Sequence, residues 1–468
     1  MSALMVQGVS SWAGKSLLTT GLARALHRRG IDVAPFKAQN MSNNARVVAG
    51  GEIGAAQYLQ ALAAGIEPDV RMNPILVKPE GNSRSQVIVL GRPDRELSRA
   101  PWRARPQRLW PVIEQALESL SAEHELLLIE GAGSPSEINL QATDLSNMRT
   151  AKAASARVIL VADINRGGAF AHLYGTWALL AEDERGLITG FVLNKFRGDP
   201  GLLAPGPEQL ELLTGVPTLG VLPWLDHGLP DEDGAAAPSA AHSATTVAIV
   251  RYPTASNLDE FKQLEQVTQL RWAHRPEDLE GADLVILPGS KHVAADLGWL
   301  WRTGLADALR ARAHAGGRVL GICGGMQMLG ERIEGEAGAD GTADGLALLA
   351  LRTAFAPSKR TEETATRFQR LAEPWAALSY KPLDGYQIRH GTTTTTAPLA
   401  EALPAGLGFV DGAVLGVYLH GLFEQPELVR ALFGVAPKRS LEQAFDELAD
   451  AVEEHLDVGA LLHEVCAV

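Results

Sequence analysis

Cysteine is nearly absent from this sequence: two occur in 468 residues, Cys323 and Cys466. So few, so far apart, argue against a disulfide framework and against a cysteine-built zinc site. Long apolar runs are missing as well, and none approaches the roughly 20 residues that cross a bilayer. The first residues, MSALMVQGVSS, pass straight into a strand and a glycine turn without the basic head and apolar stretch of a secretory signal. A cytoplasmic protein with no membrane partner is the expectation. Positive charge is also in short supply, with 42 Lys and Arg against 55 Asp and Glu and a formal net charge of −13. That balance disfavours nucleic acid as a partner, because binding to its backbone depends on lysine and arginine displacing counterions.

What is present is the composition of a globular protein, 46% hydrophobic and 21% charged, in a chain long enough for two or three domains. From Trp224 to Thr246 the hydrophobic periodicity lapses into WLDHGLPDEDGAAAPSAAHSATT, which reads as a linker. Before it, short apolar runs (LMVQGV, DVAPFKA, LLLIEGAG, VILVADI, GFVLNKF, TLGVLP) alternate with helical patterns, the rhythm of parallel strands joined by crossover helices. The rhythm restarts with VAIVRYP, ADLVILPGS, RVLGICGG and AVLGVYLHG. The expected fold is therefore α/β, with two three-layer domains over residues 1–225 and 247–435, a linker over 226–246 and an amphipathic helical extension over 436–468.

The stretch GVSSWAGKSLLTTGLARAL puts a glycine-rich turn between a strand and a helix. Such a turn offers backbone N–H groups and the positive end of a helix to a phosphate, with Lys15 adding charge and Ser16 a magnesium ligand. Gly8, Ser11 and Gly14 belong to this cradle. Five residues separate Gly8 from Gly14, where the usual phosphate loop has four, and Trp12 lies among them. Glu130 ends LLLIE, at the strand edge where a carboxylate can face the loop's magnesium. Asn194 likewise ends a strand, in FVLNKF. In APFKAQNMSNN, Lys37 follows a second strand, and Asn40, Ser42, Asn43 and Asn44 supply amides and hydroxyls suited to a polar ligand, or to an ordinary loop or cap. Between Arg71 and Arg108 basic residues outnumber acids nine to three, either as a solvated face or as a patch that attracts an anionic substrate.

In the second half, RVLGICGGMQMLG delivers Cys323 from a buried strand into a tight turn before a helix, an arrangement that exposes a nucleophile and favours its thiolate. GVYLHGLFE brings His420 off another strand, and a Cys/His pair distant in sequence suits acyl transfer by a thiolate.

The loop with the longer spacing resembles that of dethiobiotin synthetase and its relatives. PFKAQNMSNN, followed by GGEIGAAQYLQALAAG, MNPILVKPEGNSRSQVIVLG and EGAGSPSEINL, is closely similar to the hallmark of the cobyric acid synthase family, and this resemblance covers essentially the whole chain. The second half resembles class I glutamine amidotransferases. The resemblance implies that Lys37 reaches the transferring phosphoryl group and that Asn194 reads the adenine of ATP. It implies that Cys323 attacks the glutamine amide while His420 moves the proton, and that the N–H groups of Gly324 and of Gly289 or Ser290 form an oxyanion hole. The implied substrate is adenosylcobyrinic acid a,c-diamide, a corrinoid amidated on its b, d, e and g carboxylates to adenosylcobyric acid, with ATP and glutamine as co-substrates and Mg2+ as cofactor. Asn40, Asn43, Asn44 and Arg84 are the candidate corrinoid contacts; a homodimer stays open. The common class I pattern has Glu two residues after the histidine, and here that position is Leu422; Asp259 in NLDEF is the candidate for orienting His420 instead. Two other readings stand beside this one: the sister enzyme cobyrinic acid a,c-diamide synthase, and a partition-type or regulatory P-loop ATPase carrying an inactive glutaminase-like module.

Overall fold

The computed structural model describes residues 2–81, 84–230, 244–335 and 341–466, so most of the expected linker lies outside the described residues. The first half is organised by a six-stranded sheet: β1 (Ser2–Gly8), β2 (Val33–Phe36), β3 (Leu126–Glu130), β4 (Arg157–Asp163), β5 (Ile188–Phe196) and β6 (Thr218–Pro223). Their spatial order is β6-β5-β4-β1-β3-β2, and every pairing is parallel. Helices cover both faces, so a strand such as LLLIE is buried at every position and reads as a continuous apolar run. Because the chain leaves β1 toward β2 on one side and returns to β4 on the other, the C-terminal end of β1 is a topological switch point, where ligands bind in open parallel sheets. The helix α1 (Lys15–Arg28) starts there.

The second half is built on a seven-stranded sheet: β7 (Thr246–Val250), β8 (Gln269–Ala273), β9 (Leu284–Leu287), β10 (Arg318–Ile322), β11 (Ala400–Leu403), β12 (Gly408–Asp411) and β13 (Val414–Val417). The order is β8-β7-β9-β10-β13-β12-β11, parallel except for the antiparallel edge formed by β11 and β12. Two features fall outside the α/β rhythm. A four-stranded sheet from residues 39–94 sits beside the first sheet. A long hairpin, Leu351–Arg367 with Pro382–Thr395, extends from the second half and packs on the short hairpin Ala45–Val48 with Gly51–Gly54.

The C-terminal stretch forms two helices, Leu441–His455 and Val458–Cys466. Ser440 starts the first with a reciprocal capping box: its hydroxyl accepts from the Gln443 N–H at 3.1 Å, and the Gln443 side chain accepts from the Ser440 N–H at 2.9 Å. This helix returns to the first half. Phe445, Leu448 and Val452 pack with Leu18 and Leu22 of α1, each burial contributing roughly 1.5–3 kcal/mol. Arg24 pairs with Asp446 at 2.7 Å on the rim. Among the described residues no helix is long and apolar enough to cross a membrane.

Candidate active sites and the cavity between them

Cys323 directly follows strand β10, and its backbone adopts φ 53° and ψ −108° before the helix Gly324–Leu329. A non-glycine residue in that region costs about 1–3 kcal/mol and persists only where the surroundings dictate it. Here the Cys323 N–H donates to the Val417 carbonyl at 2.8 Å and its carbonyl accepts from the Gln327 N–H at 3.2 Å. Gly324 is required by proximity: a methyl group on it would lie 2.7 Å from the Ser290 nitrogen. The strand-end segment Gly289–Ser290 is thus pressed against the turn, bringing the three expected oxyanion-hole residues together. Ser290 is braced from behind, its hydroxyl donating to the buried Asp296 at 2.6 Å.

His420 follows β13 and is 1% exposed. Its Nδ1 lies 2.8 Å from Glu260 Oε1, while Glu260 Oε2 accepts from the Gly421 N–H at 3.0 Å. A carboxylate therefore does orient His420, and it is Glu260 rather than Asp259. Leu422 is a core residue, and the orienting carboxylate comes from the segment Leu258–Gln266, one position beyond the expected aspartate. Asp259 instead forms an ion pair with Arg46. Burial alone would lower the His420 pKa, but the Glu260 and Cys323 charges outweigh it, with hydrogen bonds to both adding in the same direction, and the imidazole is pushed up to about 10. With Nδ1 committed to Glu260, the hydrogen bond to Cys323 falls to Nε2.

Glu260→Gln preserves shape and removes this charge. Glutamine hydrolysis is expected to fall about 10²- to 10⁴-fold, as when a neutral amide replaces the carboxylate behind a catalytic histidine. A stability signature accompanies it. Because the histidine pKa is raised from 6.5 to about 10, the stabilisation is fully present below about 6.5 and is lost as pH rises through about 10. Thermal unfolding of wild type and variant across this window should show a gap in the neutral range that closes at the alkaline end; a gap independent of pH contradicts the assignment.

At the other site, the loop after β1 reaches α1 through Gly14, at φ 95°. A side chain there would suffer twice, since its Cβ would also lie 2.0 Å from Asn194 Nδ2. Lys15 Nζ donates to the carbonyls of Ser10 and Gly133, both at 3.2 Å, which folds it back over the loop. Glu130 is fully buried, and three side chains converge on it: Ser16 Oγ at 2.8 Å, Lys37 Nζ at 2.8 Å and Gln60 Nε2 at 2.5 Å. Gly8 lies buried at the end of β1, and Ser11 is exposed in the loop. Asn194 is brought to the loop, where its Nδ2 donates to the Ala13 carbonyl at 2.9 Å, bracing the backbone. Lys195 does the same from its other side, donating to the Trp12 carbonyl at 2.6 Å and pairing with Asp163 at 3.2 Å. Gln60 carried no signal in the sequence, while Asp163, the last residue of β4, and Lys195, beside Asn194 near the end of β5, stand at strand ends that the sequence reading passed over.

A cavity of about 1750 Å³ opens between the halves. Ser290, Cys323, Gly324 and Gln327 line one side, and Asn43, Arg84, Arg92, Arg95, Arg99 and Arg105 line the other. The basic surplus after Arg71 is thus largely a cavity wall. Of the four candidate substrate contacts, Asn43 and Arg84 reach the cavity, and Asn43 Oδ1 is buried there without a hydrogen-bond partner. Asn40 and Asn44 do not: Asn40 donates to Gln57 at 3.0 Å, and Asn44 Oδ1 accepts from the Leu258 N–H at 3.1 Å across the junction between the halves. Both amides are buried and take protein partners, as buried amides must.

Residues 4–230 match the CobQ/CobB/MinD/ParA nucleotide binding domain, and residues 246–428 match the CobB/CobQ-like glutamine amidotransferase domain. Cobyric acid synthase from Variovorax paradoxus (strain S110) is 53% identical over 470 residues, covering 98% of both chains. Its counterpart from Paracidovorax citrulli (strain AAC00-1) is 55% identical, covering 97% of both chains. The chain belongs to the cobyric acid synthase family. It is accordingly an enzyme of the glutamine-dependent amide ligase class, with the nucleotide-binding and amidotransferase halves of that family in one polypeptide. Membership of the cobyric acid synthase family also sets aside the regulatory-ATPase reading.

Proposed function

We propose that the chain amidates the b, d, e and g carboxylates of adenosylcobyrinic acid a,c-diamide, giving adenosylcobyric acid, with residues 1–225 activating the carboxylates and residues 247–435 supplying ammonia. The observation that carries this reading is the shared cavity, wide enough for a bulky ligand, with arginines on one wall and Cys323 on the other. An anionic corrinoid would meet the arginines, with Asn43 Oδ1 as a ready acceptor.

A carboxylate is a poor electrophile, so ATP would first convert it to an acyl phosphate that ammonia displaces. Phosphoryl transfer needs mainly positioning and charge neutralisation. The loop N–H groups from Gly8 to Ser16, including Ser11 and Gly14, would hold the phosphates, and Lys15 and Lys37 would supply positive charge. Ser16 Oγ and the Glu130 carboxylate, 2.8 Å apart, are hard oxygen donors of the kind that suits Mg2+. The ion would neutralise charge on the phosphates. In the other half, Cys323 would attack the glutamine amide, with its proton passing to His420 and on to the leaving ammonia. The Gly324 and Ser290 N–H groups would stabilise the oxyanion, and water would hydrolyse the thioester.

Mass spectrometry of the corrinoid after incubation with ATP, magnesium and glutamine tests this. Four successive conversions of carboxylic acid to amide are expected. Glutamine hydrolysis without corrinoid amidation would leave an amidotransferase with a different substrate, and amidation of cobyrinic acid at its a and c positions would point to the sister reaction.

A further inference from the structure

His420 of the amidotransferase half is linked through Tyr386 to a residue of the nucleotide-binding half. Arg46 lies two residues beyond Asn44 in the APFKAQNMSNN region and is almost entirely buried. Its guanidinium is paired with Asp259 and lies 2.5 Å from Glu424, both from the second half. It also sits over the Tyr386 ring, 5.2 Å from the centroid. Tyr386 in turn stacks on His420 at 5.2 Å between centroids and 22° between planes. The Tyr386 hydroxyl accepts from Asn257 Nδ2 at 2.9 Å, and that same amide donates to the Ala45 carbonyl at 2.7 Å.

Two consecutive residues carry both ends of this arrangement. Asp259 binds Arg46 and lines the pocket beside Lys15 and Ser16, whereas Glu260 holds His420. Moving the Arg46 guanidinium would therefore disturb the imidazole from its face, through Tyr386, and from its Nδ1 edge, through the Asp259–Glu260 backbone. A stacked, multiply bonded guanidinium fixes both in a way that an ammonium cannot. We infer that Arg46 is a positioning residue for glutamine hydrolysis, acting across the junction on His420 through Tyr386 and the Asn257–Glu260 segment.

This rests on the reading of Cys323 and His420 as a glutaminase, and the test separates the two. In the full-length enzyme, Arg46→Met is expected to lower kcat for glutamine hydrolysis at least tenfold with KM for glutamine little changed, because the cysteine and the oxyanion loop that meet glutamine stay in place. Ammonium-dependent corrinoid amidation should persist, which also shows that the variant is folded. Arg46→Lys keeps a cation for Asp259 and Glu424 but loses the planar stack, so it guards against loss of fold and should give a smaller fall in kcat in the same direction. Groups facing the imidazole, Glu260, Cys323 and Tyr386, are unaltered in both variants. Wild-type kcat in either folded variant, or a rise in KM without a fall in kcat, overturns the inference. An inactive wild-type glutaminase would overturn the functional reading beneath it.

Discussion

Cys323→Ala is expected to abolish glutamine-dependent amidation while leaving ammonium-dependent amidation close to the wild-type level. Removing the nucleophile eliminates the thioester route, and the loss in glutamine hydrolysis should reach about 10⁴-fold or more, as for deletion of a nucleophile in other acyl-transfer enzymes. The substitution is structurally mild. Cys323 is small and nearly buried, and the N–H that donates to Val417 is retained. The strained φ of 53° is no easier for alanine, so the turn should persist on its surrounding contacts rather than on the thiol. Corrinoid product measured with each nitrogen source decides the matter. Loss with both sources would mean that Cys323 serves the whole structure, contrary to the division of labour proposed.

The second large effect should come from Glu130→Gln, with the opposite pattern. Glu130 is the buried anion on which Ser16, Lys37 and Gln60 converge. Neutralising it removes the carboxylate charge that the buried Lys37 ammonium, its side chain 3% exposed, pairs with at 2.8 Å. Breaking one side of a buried ion pair costs about 3–5 kcal/mol, which calorimetry should detect as a lower Tm. Amidation should fall at least 10²-fold with either glutamine or ammonium, since the carboxylate-activating step precedes both. Glutamine hydrolysis at Cys323 should continue. A variant that amidates normally would remove Glu130 from the phosphate site and leave it as a core ion pair.

These two residues were legible before any coordinates because each stands at the end of an apolar strand, and strand ends are where parallel sheets expose chemistry. The same logic pointed to Cys323 and His420, and the glycine-rich turn before a helix pointed to Gly14 and Lys15. It failed at Glu260 by one residue. In NLDEF both acids are plausible by composition, and only the turn of a short helical segment decides which faces His420 and which faces Arg46. For Asn40 and Asn44, amide chemistry suits a ligand as well as a protein partner, and the fold gives each a protein partner. The sheets over residues 39–94 and 351–395 went unannounced because they are built mainly from hairpins, joined in the first by the short parallel strand Gln39–Met41, and so escape the strand-helix rhythm.

Sequence by itself determined the two α/β sheets, the phosphate loop, the cysteine turn and the family, because periodic burial and backbone chemistry are local properties of the chain. Tertiary structure alone decided that the basic stretch after Arg71 faces a cavity shared with Cys323, that the C-terminal helix closes over α1, and that Arg46 meets the Tyr386 ring stacked on a histidine 374 positions later by number. Each of these depends on how two folded surfaces meet. Charge and shape at such a junction come from residues scattered along the chain, and no periodicity in the sequence brings them together.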